Sequence, residues 1–114
     1  MIIPEPGQAY ELLRYQTPNG VVPYSRWLDG LDRSAQVRII TRVGRFSQGQ
    51  FGDTRHLGQG FCEARLAVGP GYRVYFGVHG RLLVILLCGG DKATQARDIA
   101  LARRCWSDYL GGKP

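Results

Sequence analysis

Polar and apolar residues alternate over residues 9–15, with Tyr10 and Leu12 on one side, and this pattern predicts a first β-strand. The Thr-Pro-Asn-Gly run at 17–20 is typical of a turn and ends the strand. Over residues 24–31 the spacing changes to that of a helical turn. A short amphipathic helix is therefore expected there, with an apolar side made of Trp27, Leu28 and Leu31.

The following segment predicts a second helix with two distinct sides. Asp32 is a suitable N-cap and Gly49 is a stop signal. One side carries the apolar residues Ile39, Ile40, Val43 and Phe46. The other side carries a basic stripe at i, i+4 and i+7, made of Arg38, Arg42 and Arg45. Such a stripe is either an ordinary solvated face or a surface for a polyanion.

The middle of the chain is expected to be a loop that leads into a sheet. Residues 48–60 contain four glycines and few apolar side chains, which favours a crossing loop, and they include Arg55 and His56. Residues 61–68 and 72–79 then alternate strictly, which predicts two strands joined by a Gly-Pro-Gly turn.

The pattern of this hairpin also predicts its register. If residues 69–71 form the loop, Val68 faces Tyr72 and Arg65 lies opposite Tyr75. Arg65 and Arg73 would then be diagonal neighbours on one face, about 7–8 Å apart. Two arginines and a tyrosine are thus expected to converge.

The last part of the chain predicts a buried strand and a final helix. Residues 81–88 are nearly all apolar, which favours a central strand covered on both faces. The Gly-Gly-Asp-Lys run at 89–92 is expected to break this strand, and Thr94 can cap a helix. The apolar stripe of that helix consists of Ile99, Ala102, Trp106 and Leu110. The predicted order is β-α-α-β-β-β-α, an α+β fold in one compact domain over residues 1–114.

Size and charge add two constraints to this pattern. The chain has 114 residues, a usual length for one domain. Fifteen Lys and Arg residues against nine Asp and Glu residues give a net charge of +6, which favours polyanionic partners. Only Lys92 and Lys113 are lysines, so the cations are mostly guanidinium groups suited to bidentate contact with phosphate or carboxylate.

Several classes of protein are not indicated. The N-terminus lacks the pattern of a signal peptide, and no apolar run is long enough to span a bilayer, so we expect a cytoplasmic protein without a membrane partner. No nucleotide-binding, small-molecule cofactor or metal motif occurs. The three cysteines fall within apolar patterns and are expected to be buried structural thiols: Cys62, Cys88 and Cys105.

The predicted hairpin carries the most informative chemistry. Two neighbouring guanidinium groups repel each other unless an anion lies between them. Glu63 and another acidic residue are one source of that charge, and a bound phosphate is the other. Paired arginines can stabilise a phosphodiester whose negative charge grows in a transition state. Tyr75 is either an ordinary half-exposed tyrosine or a group that stacks on a base or donates a proton.

Three further residues are candidates for chemistry. Lys92 follows the strand-ending Gly-Gly pair, where loops often carry function. His56 and His79 are each expected in a loop or turn, and a histidine is a good general base near neutral pH. For each of the three, simple solvent exposure is the alternative.

A set of motifs running through the chain resembles a known family. The motifs are Trp-Leu-Asp-Gly-Leu at 27–31, Gly-Gln-Phe-Gly-Asp at 49–53, Glu-Ala-Arg at 63–65, Gly-Pro-Gly-Tyr-Arg-Val-Tyr-Phe at 69–76 and Leu-Leu-Cys-Gly-Gly-Asp-Lys at 86–92, followed by Thr94-Gln95. Together they resemble the addiction-module killer proteins of the RelE/ParE toxin superfamily, in the HigB-like, phage-derived branch. The resemblance covers nearly the whole chain, and the predicted order of elements matches that superfamily.

The resemblance implies a type II toxin that a cognate antitoxin holds inactive, usually a helix-turn-helix protein. Characterised members are mRNA interferases that act on the ribosome without a metal ion, through attack of a ribose 2′-hydroxyl on the adjacent phosphate. Carried over to this chain, Arg65 and Arg73 would bind the scissile phosphate, with Tyr75 and Lys92 as further catalytic candidates. The implied RNA-binding residues are Arg55, His56, Arg38, Arg42 and Arg45.

One departure leaves the general base open. The best-known members place a tyrosine or histidine near the chain end, where this chain has Gly-Gly-Asp-Lys. Tyr75, His56, Asp91 and Lys92 are the candidates that remain. Two alternatives to an mRNA interferase also stay open: a toxin of the ParE type that binds gyrase without being an enzyme, and a degenerate module that only binds an antitoxin.

Overall fold

A five-stranded mixed sheet forms the centre of the fold in the computed structural model, which describes residues 9–111. The strands are β1 (Glu11–Arg14), β2 (Thr54–Gly58), β3 (Phe61–Arg65), β4 (Arg73–His79) and β5 (Leu83–Gly90). The helices are α1 (Pro23–Asp29), α2 (Arg33–Gly44) and α3 (Gln95–Gly111), with short 3₁₀ helices at Arg45–Gln48 and Lys92–Thr94. The chain is therefore a single α+β domain.

The order of strands across the sheet is β1-β5-β4-β3-β2. β1 runs parallel to β5, and the other neighbours are antiparallel. The apolar strand β5 lies inside the sheet, as its composition predicts, because both of its edges are paired. It continues through Gly89 and Gly90, so the expected break at this Gly-Gly pair is wrong. Both positions require glycine, because Trp27 and Asp98 occupy the space where side chains of residues 89 and 90 would lie.

Helices cover both faces of the sheet, and each face has its own core. On one face, α1 and α2 supply Tyr24, Leu28, Ile39 and Val43, which pack on Cys62, Ala64, Val74 and Phe76. On the other face, α3 supplies Ala102, Cys105 and Trp106, which pack on Phe61, Tyr75, Ile85 and Leu87. None of the helices in residues 9–111 has the length and apolar character needed to cross a membrane.

The two predicted helix caps meet different outcomes. Asp32 caps α2 by accepting a hydrogen bond from Ala35 N at 2.8 Å, as predicted. At the start of α3, Asp91 is the N-cap of the 3₁₀ helix, and Thr94 completes the capping box instead of being the cap itself. The apolar stripe expected on α3 is confirmed, since all four of its residues join the core beneath that helix.

The apolar face predicted for α2 is too wide. Ile39, Val43 and Phe46 are buried, but Ile40 is 54% exposed. Adjacent residues of an α-helix point about 100° apart. A sheet reached by Ile39 is therefore out of reach of Ile40.

The loop expected over residues 48–60 contains an edge strand, β2, which raises the number of strands from the predicted four to five. β2 pairs with β3 and has no buried residue, because it borders solvent along one edge. Gln59 and Gly60, both with positive φ, connect the two strands. Positive φ at both central positions is typical of the tight turns that join antiparallel strands.

The predicted register of the β3–β4 hairpin is wrong by two residues. Arg65 lies directly opposite Arg73, and Glu63 lies opposite Tyr75. The connection is longer than three residues, because Leu66 N donates to Tyr72 O and the chain turns back between Val68 and Gly71. A shift of two residues preserves the faces of both strands, so the expected division between apolar and polar faces is confirmed.

Candidate anion-binding site

Arg65 and Arg73, here called the arginine pair, lie side by side at the end of β3 and β4 on the face that α3 covers. They are directly opposed, and the adjacent Leu66 N–Tyr72 O hydrogen bond makes theirs a non-hydrogen-bonded pair of the ladder. The Cα atoms of such pairs lie about 4.5 Å apart. Because opposed like charges destabilise a sheet, this arrangement calls for nearby anions.

Arg73 is the less satisfied member of the arginine pair. Its side chain is only 12% exposed, and its Nε lies 4.0 Å from Glu63 Oε2, too far for a hydrogen bond. Its guanidinium makes no hydrogen bond within residues 9–111, and its Nε is buried without a partner. A nearly buried cation without a hydrogen-bonded counter-ion is costly, so this position favours an anionic ligand.

Arg65 is more open and has an acidic partner. Its Nη2 lies 2.9 Å from Asp53 Oδ1, and the two side chains are 40% and 60% exposed. The Arg65 main chain is also fixed, since its N–H donates to Asp53 O and its carbonyl accepts from Arg42 Nη1 at 2.7 Å. An exposed ion pair of this kind is weak and can be exchanged for another anion.

Glu63 lies beneath these cations and is fully buried. It therefore supplies part of the charge that was expected from either an acidic residue or a ligand. Arg55 Nη2 lies 3.2 Å from Glu63 Oε1, so Arg55, expected in a loop, stands on β2 as part of this network. Asp53 is the second acidic residue. It directly precedes β2, and the pairing of β2 with β3 brings it to Arg65. The sequence pattern did not reveal this strand.

Tyr75 is fully buried, so the expectation of an ordinary half-exposed tyrosine is wrong, and its ring is not open for the alternative role of stacking on a base. Its hydroxyl donates to Glu63 Oε2 at 2.9 Å. Burial, followed by this hydrogen bond and the negative charge of Glu63, raises the pKa of Tyr75 far above its ordinary value. Its phenol is therefore held neutral and inside the protein.

Lys92 borders the arginine pair on the 3₁₀ helix that precedes α3. Its N–H lies 3.4 Å from Pro70 O in the β3–β4 connection. A Cβ placed on Gly71 would lie 3.4 Å from Lys92 Cβ and 3.7 Å from Arg73 Nη1, so Gly71 lies next to both residues. Asp91, another candidate base, instead accepts hydrogen bonds from Ala93 N and Thr94 N as a helix cap.

Neither histidine lies at the arginine pair. His56 is paired with Cys62 on the opposite face of the sheet, with its Nδ1 3.3 Å from Cys62 Sγ. His79 is six residues from Arg73 along β4, a separation of about 20 Å, and its Nδ1 lies 2.9 Å from Tyr109 Oη. Residues 9–111 hold no cluster of three or more His, Cys, Asp or Glu side chains placed to bind a metal ion.

The basic stripe of α2 divides into two kinds of residue. Arg38 and Arg45 are exposed and line a groove beside Val68, on the opposite face of the sheet from the arginine pair. Arg42 turns inward and donates to three carbonyl oxygens, those of Phe51, Asp53 and Arg65. Burial lowers the pKa of Arg42 from its ordinary value. Its guanidinium is a structural clamp rather than a free cation.

Comparison with known proteins shows a family to which the chain belongs. An uncharacterized protein of Haemophilus influenzae strain Rd is 43% identical over 81 residues, which cover 70% of this chain and 82% of that protein. The chain belongs to the family of that Haemophilus protein. No family model matches the chain. Because that relative is uncharacterized, the family assigns no activity to this chain, and the chemistry of the arginine pair is what bears on function.

Proposed function

We propose that the protein is the toxin of a type II toxin-antitoxin system and acts as a metal-independent endoribonuclease on mRNA in the ribosome. The observation that carries the proposal is Arg73, a nearly buried guanidinium without a hydrogen-bond partner in residues 9–111, directly opposite a second arginine. Such a pair fits the two non-bridging oxygens of a phosphodiester. The killer-protein motifs described above support the same assignment.

The proposed reaction is transfer of the phosphoryl group within the RNA backbone. The ribose 2′-oxygen forms a bond to the adjacent phosphorus, and the bond from phosphorus to the 5′-oxygen breaks. The products are a 2′,3′-cyclic phosphate and a 5′-hydroxyl, so the 2′-hydroxyl loses a proton and the 5′-oxygen gains one. Charge on the non-bridging oxygens grows during this step, and fixed cations stabilise it by several kcal/mol.

The residues take different parts in this scheme. Arg73 and Arg65 bind the phosphate, and Lys92 adds an exposed ammonium group that can donate the proton to the 5′-oxygen. Tyr75 donates to Glu63 beneath the arginine pair, while His56 contacts Cys62 and Asp91 caps the 3₁₀ helix. The remaining proton leaves to water, and the rate enhancement rests on charge stabilisation rather than on a strong base.

The surroundings of the site extend the proposal to partners and compartment. Arg55 is 47% exposed on β2 and can contact the RNA backbone next to the arginine pair. Arg38 and Arg45 offer a second basic surface for ribosomal RNA. The protein acts in the cytoplasm, where a cognate antitoxin of the helix-turn-helix type blocks it by covering one of these basic surfaces.

The proposal is tested by inducing the wild type and the double variant Arg65→Ala/Arg73→Ala in cells that lack the antitoxin. We expect the wild type to stop growth and the double variant to be harmless. The matched control is Arg33→Ala/Arg81→Ala, which removes the same charge from two exposed arginines away from the site and should remain toxic. Soluble yield and circular dichroism show that each variant folds.

The other outcomes separate the alternatives. A folded double variant that remains toxic would overturn the role of the arginine pair. Growth arrest with DNA breaks and intact mRNA would identify a gyrase inhibitor. A folded wild type that never affects growth would identify a module that only binds an antitoxin.

A further inference from the structure

Glu63 is an unusual residue for the interior of a small domain. Its side chain is 0% exposed, although carboxylates are almost never fully buried unless they are paired. Since no solvent reaches it, a ligand at the arginine pair cannot touch it. Any contribution it makes to function must therefore pass through the groups around it.

Those groups come from three elements besides β3. Oε2 accepts hydrogen bonds from Tyr75 Oη on β4 at 2.9 Å and from Gln95 Nε2 on α3 at 2.8 Å. Oε1 lies 3.2 Å from Arg55 Nη2 on β2, and Oε2 lies 4.0 Å from Arg73 Nε on β4. Two neutral donors thus hold the carboxylate in place, and two cations are drawn to it.

The position of this carboxylate fixes how Arg73 is presented. The Nε edge of the guanidinium faces Glu63, and Nη1 lies on the side of Gly71 and Lys92. Of the three guanidinium nitrogens, only Nε is both buried and without a hydrogen bond. Attraction to Glu63 therefore keeps the Nε edge inside and leaves the terminal nitrogens for a ligand.

The same carboxylate also lowers the affinity of the site for anions. One buried negative charge lies within 4.0 Å of the Arg73 guanidinium and 3.2 Å of the Arg55 guanidinium. In a poorly solvated environment such a charge strongly opposes binding of a second anion. Glu63 thus has two separable effects: it orients the cations and it lowers their affinity for phosphate.

We propose that Glu63 is a positioning residue with two effects. It orients the guanidinium groups of Arg73 and Arg55 toward the phosphate of the transition state, and its negative charge weakens binding of the RNA ground state. This inference rests on the proposed ribonuclease function. Only interactions that are stronger in the transition state than in the ground state accelerate a reaction. A carboxylate that orients cations and limits ground-state binding serves that requirement.

The test compares two substitutions of Glu63 in the full chain. Glu63→Gln removes the charge with little change of shape, and Glu63→Asp keeps the charge but withdraws it by one methylene. Binding is measured by fluorescence anisotropy with a 2′-O-methylated RNA 12-mer, which cannot be cleaved. Cleavage of mRNA is measured under single-turnover conditions on translating ribosomes. Thermal melting establishes that each variant is folded at the assay temperature.

The two variants should behave differently. We expect Glu63→Gln to bind the 12-mer about three- to tenfold more tightly, because the negative charge beneath the cations is removed. The same variant should cleave at least about tenfold more slowly, because the guanidinium groups are no longer held in their orientation. Glu63→Asp should bind like the wild type and also cleave slowly. Asp108→Asn is the matched control: it makes the same chemical change 13 residues along α3 from Gln95, about 20 Å away, and should change neither quantity.

The possible failures are distinguishable. If the wild type cleaves mRNA and both Glu63 variants cleave at its rate, the positioning role is wrong and the proposed function stands. If folded Glu63→Gln binds no more tightly than the wild type, the effect on affinity is wrong. If the wild type cleaves no mRNA, the proposed function fails, and the binding measurements still decide the effect on affinity. If Glu63→Gln does not fold, slow cleavage by folded Glu63→Asp is the decisive result.

Discussion

At the scale of single residues, the site depends on how each cation is paired. Arg73 is nearly buried and has no hydrogen-bond partner in residues 9–111, whereas Arg65 is open and already holds Asp53. Sequence alone indicated that these arginines needed counter-charges and that Glu63 was a source. It did not reveal Gln95 as a partner of Glu63, because a hydrogen bond between residues 32 apart leaves no periodic signal.

Asp53 should compete with any anion for Arg65, and Asp53→Asn should remove that competition. Exposed ion pairs contribute up to about 1 kcal/mol, so we expect the variant to bind the 2′-O-methylated RNA about two- to fivefold more tightly than the wild type. Asp29→Asn makes the same charge change at the end of α1 and serves as the control. Equal affinities for the two variants would show that Asp53 does not oppose binding.

The three cysteines should be inert in the folded protein. Burial raises the pKa of Cys62 to about 11 and that of Cys88 to about 12, from an ordinary 9.0, and also raises the pKa of Cys105. The thiolate is the reactive form, so at pH 8 a pKa of 11 lowers reactivity about 100-fold. Titration with a disulfide reagent should detect three thiols in urea and none within minutes without it.

The same shifts predict how stability depends on pH. A raised pKa means that folding favours the neutral thiol, so its contribution is complete below pH 9.0 and is lost as the pH rises toward 12. The free energy of unfolding should therefore fall across this range. Rapid reaction of a native thiol at pH 8 would show that the thiol is not buried.

At the scale of elements, the parts read well from sequence are those with a strong period. The apolar run of β5, the alternation of β3 and β4, and the stripe of α3 all identified their elements and buried faces. Strand β2 was not predicted, because an edge strand with no buried residue has no apolar period. The turn between β2 and β3 was not predicted either, since Gln59 has a positive φ at a position where Asn or Gly is the usual signal. The predicted register of β3 and β4 was wrong because alternation determines which face each side chain lies on, and a shift of two residues leaves those faces unchanged.

Arg42 joins α2 to the site at this scale. Its three hydrogen bonds fix the carbonyl oxygens of Phe51, Asp53 and Arg65. Lysine cannot reproduce this planar fork. We expect Arg42→Lys to lower the free energy of unfolding by about 2 kcal/mol, in line with hydrogen bonds to charged groups.

Urea unfolding of Arg42→Lys beside Arg45→Lys provides the measurement. Arg45 is exposed, so its substitution should change stability by less than about 0.5 kcal/mol. A loss of stability of the same size in both variants would show that the carbonyl contacts of Arg42 are not what stabilises this junction.

At the scale of the whole molecule, two groups of cations lie on opposite sides of the sheet. The arginine pair, Arg55 and Lys92 lie toward α3, and Arg38 and Arg45 lie along α2. With a net charge of +6, both surfaces attract polyanions. In the proposed function the first surface holds the mRNA that is cut and the second contacts ribosomal RNA.

The central claim is that the arginine pair cuts mRNA, and mapping of RNA ends in a translation reaction tests it most directly. A defined mRNA is translated by purified components with the wild type, with Arg65→Ala/Arg73→Ala or with Arg33→Ala/Arg81→Ala, and the products are mapped by primer extension. We predict new 5′-hydroxyl ends inside translated codons with the wild type and with the control, and none with the arginine-pair variant. Intact mRNA with the folded wild type, or the same ends with the arginine-pair variant, would contradict the claim.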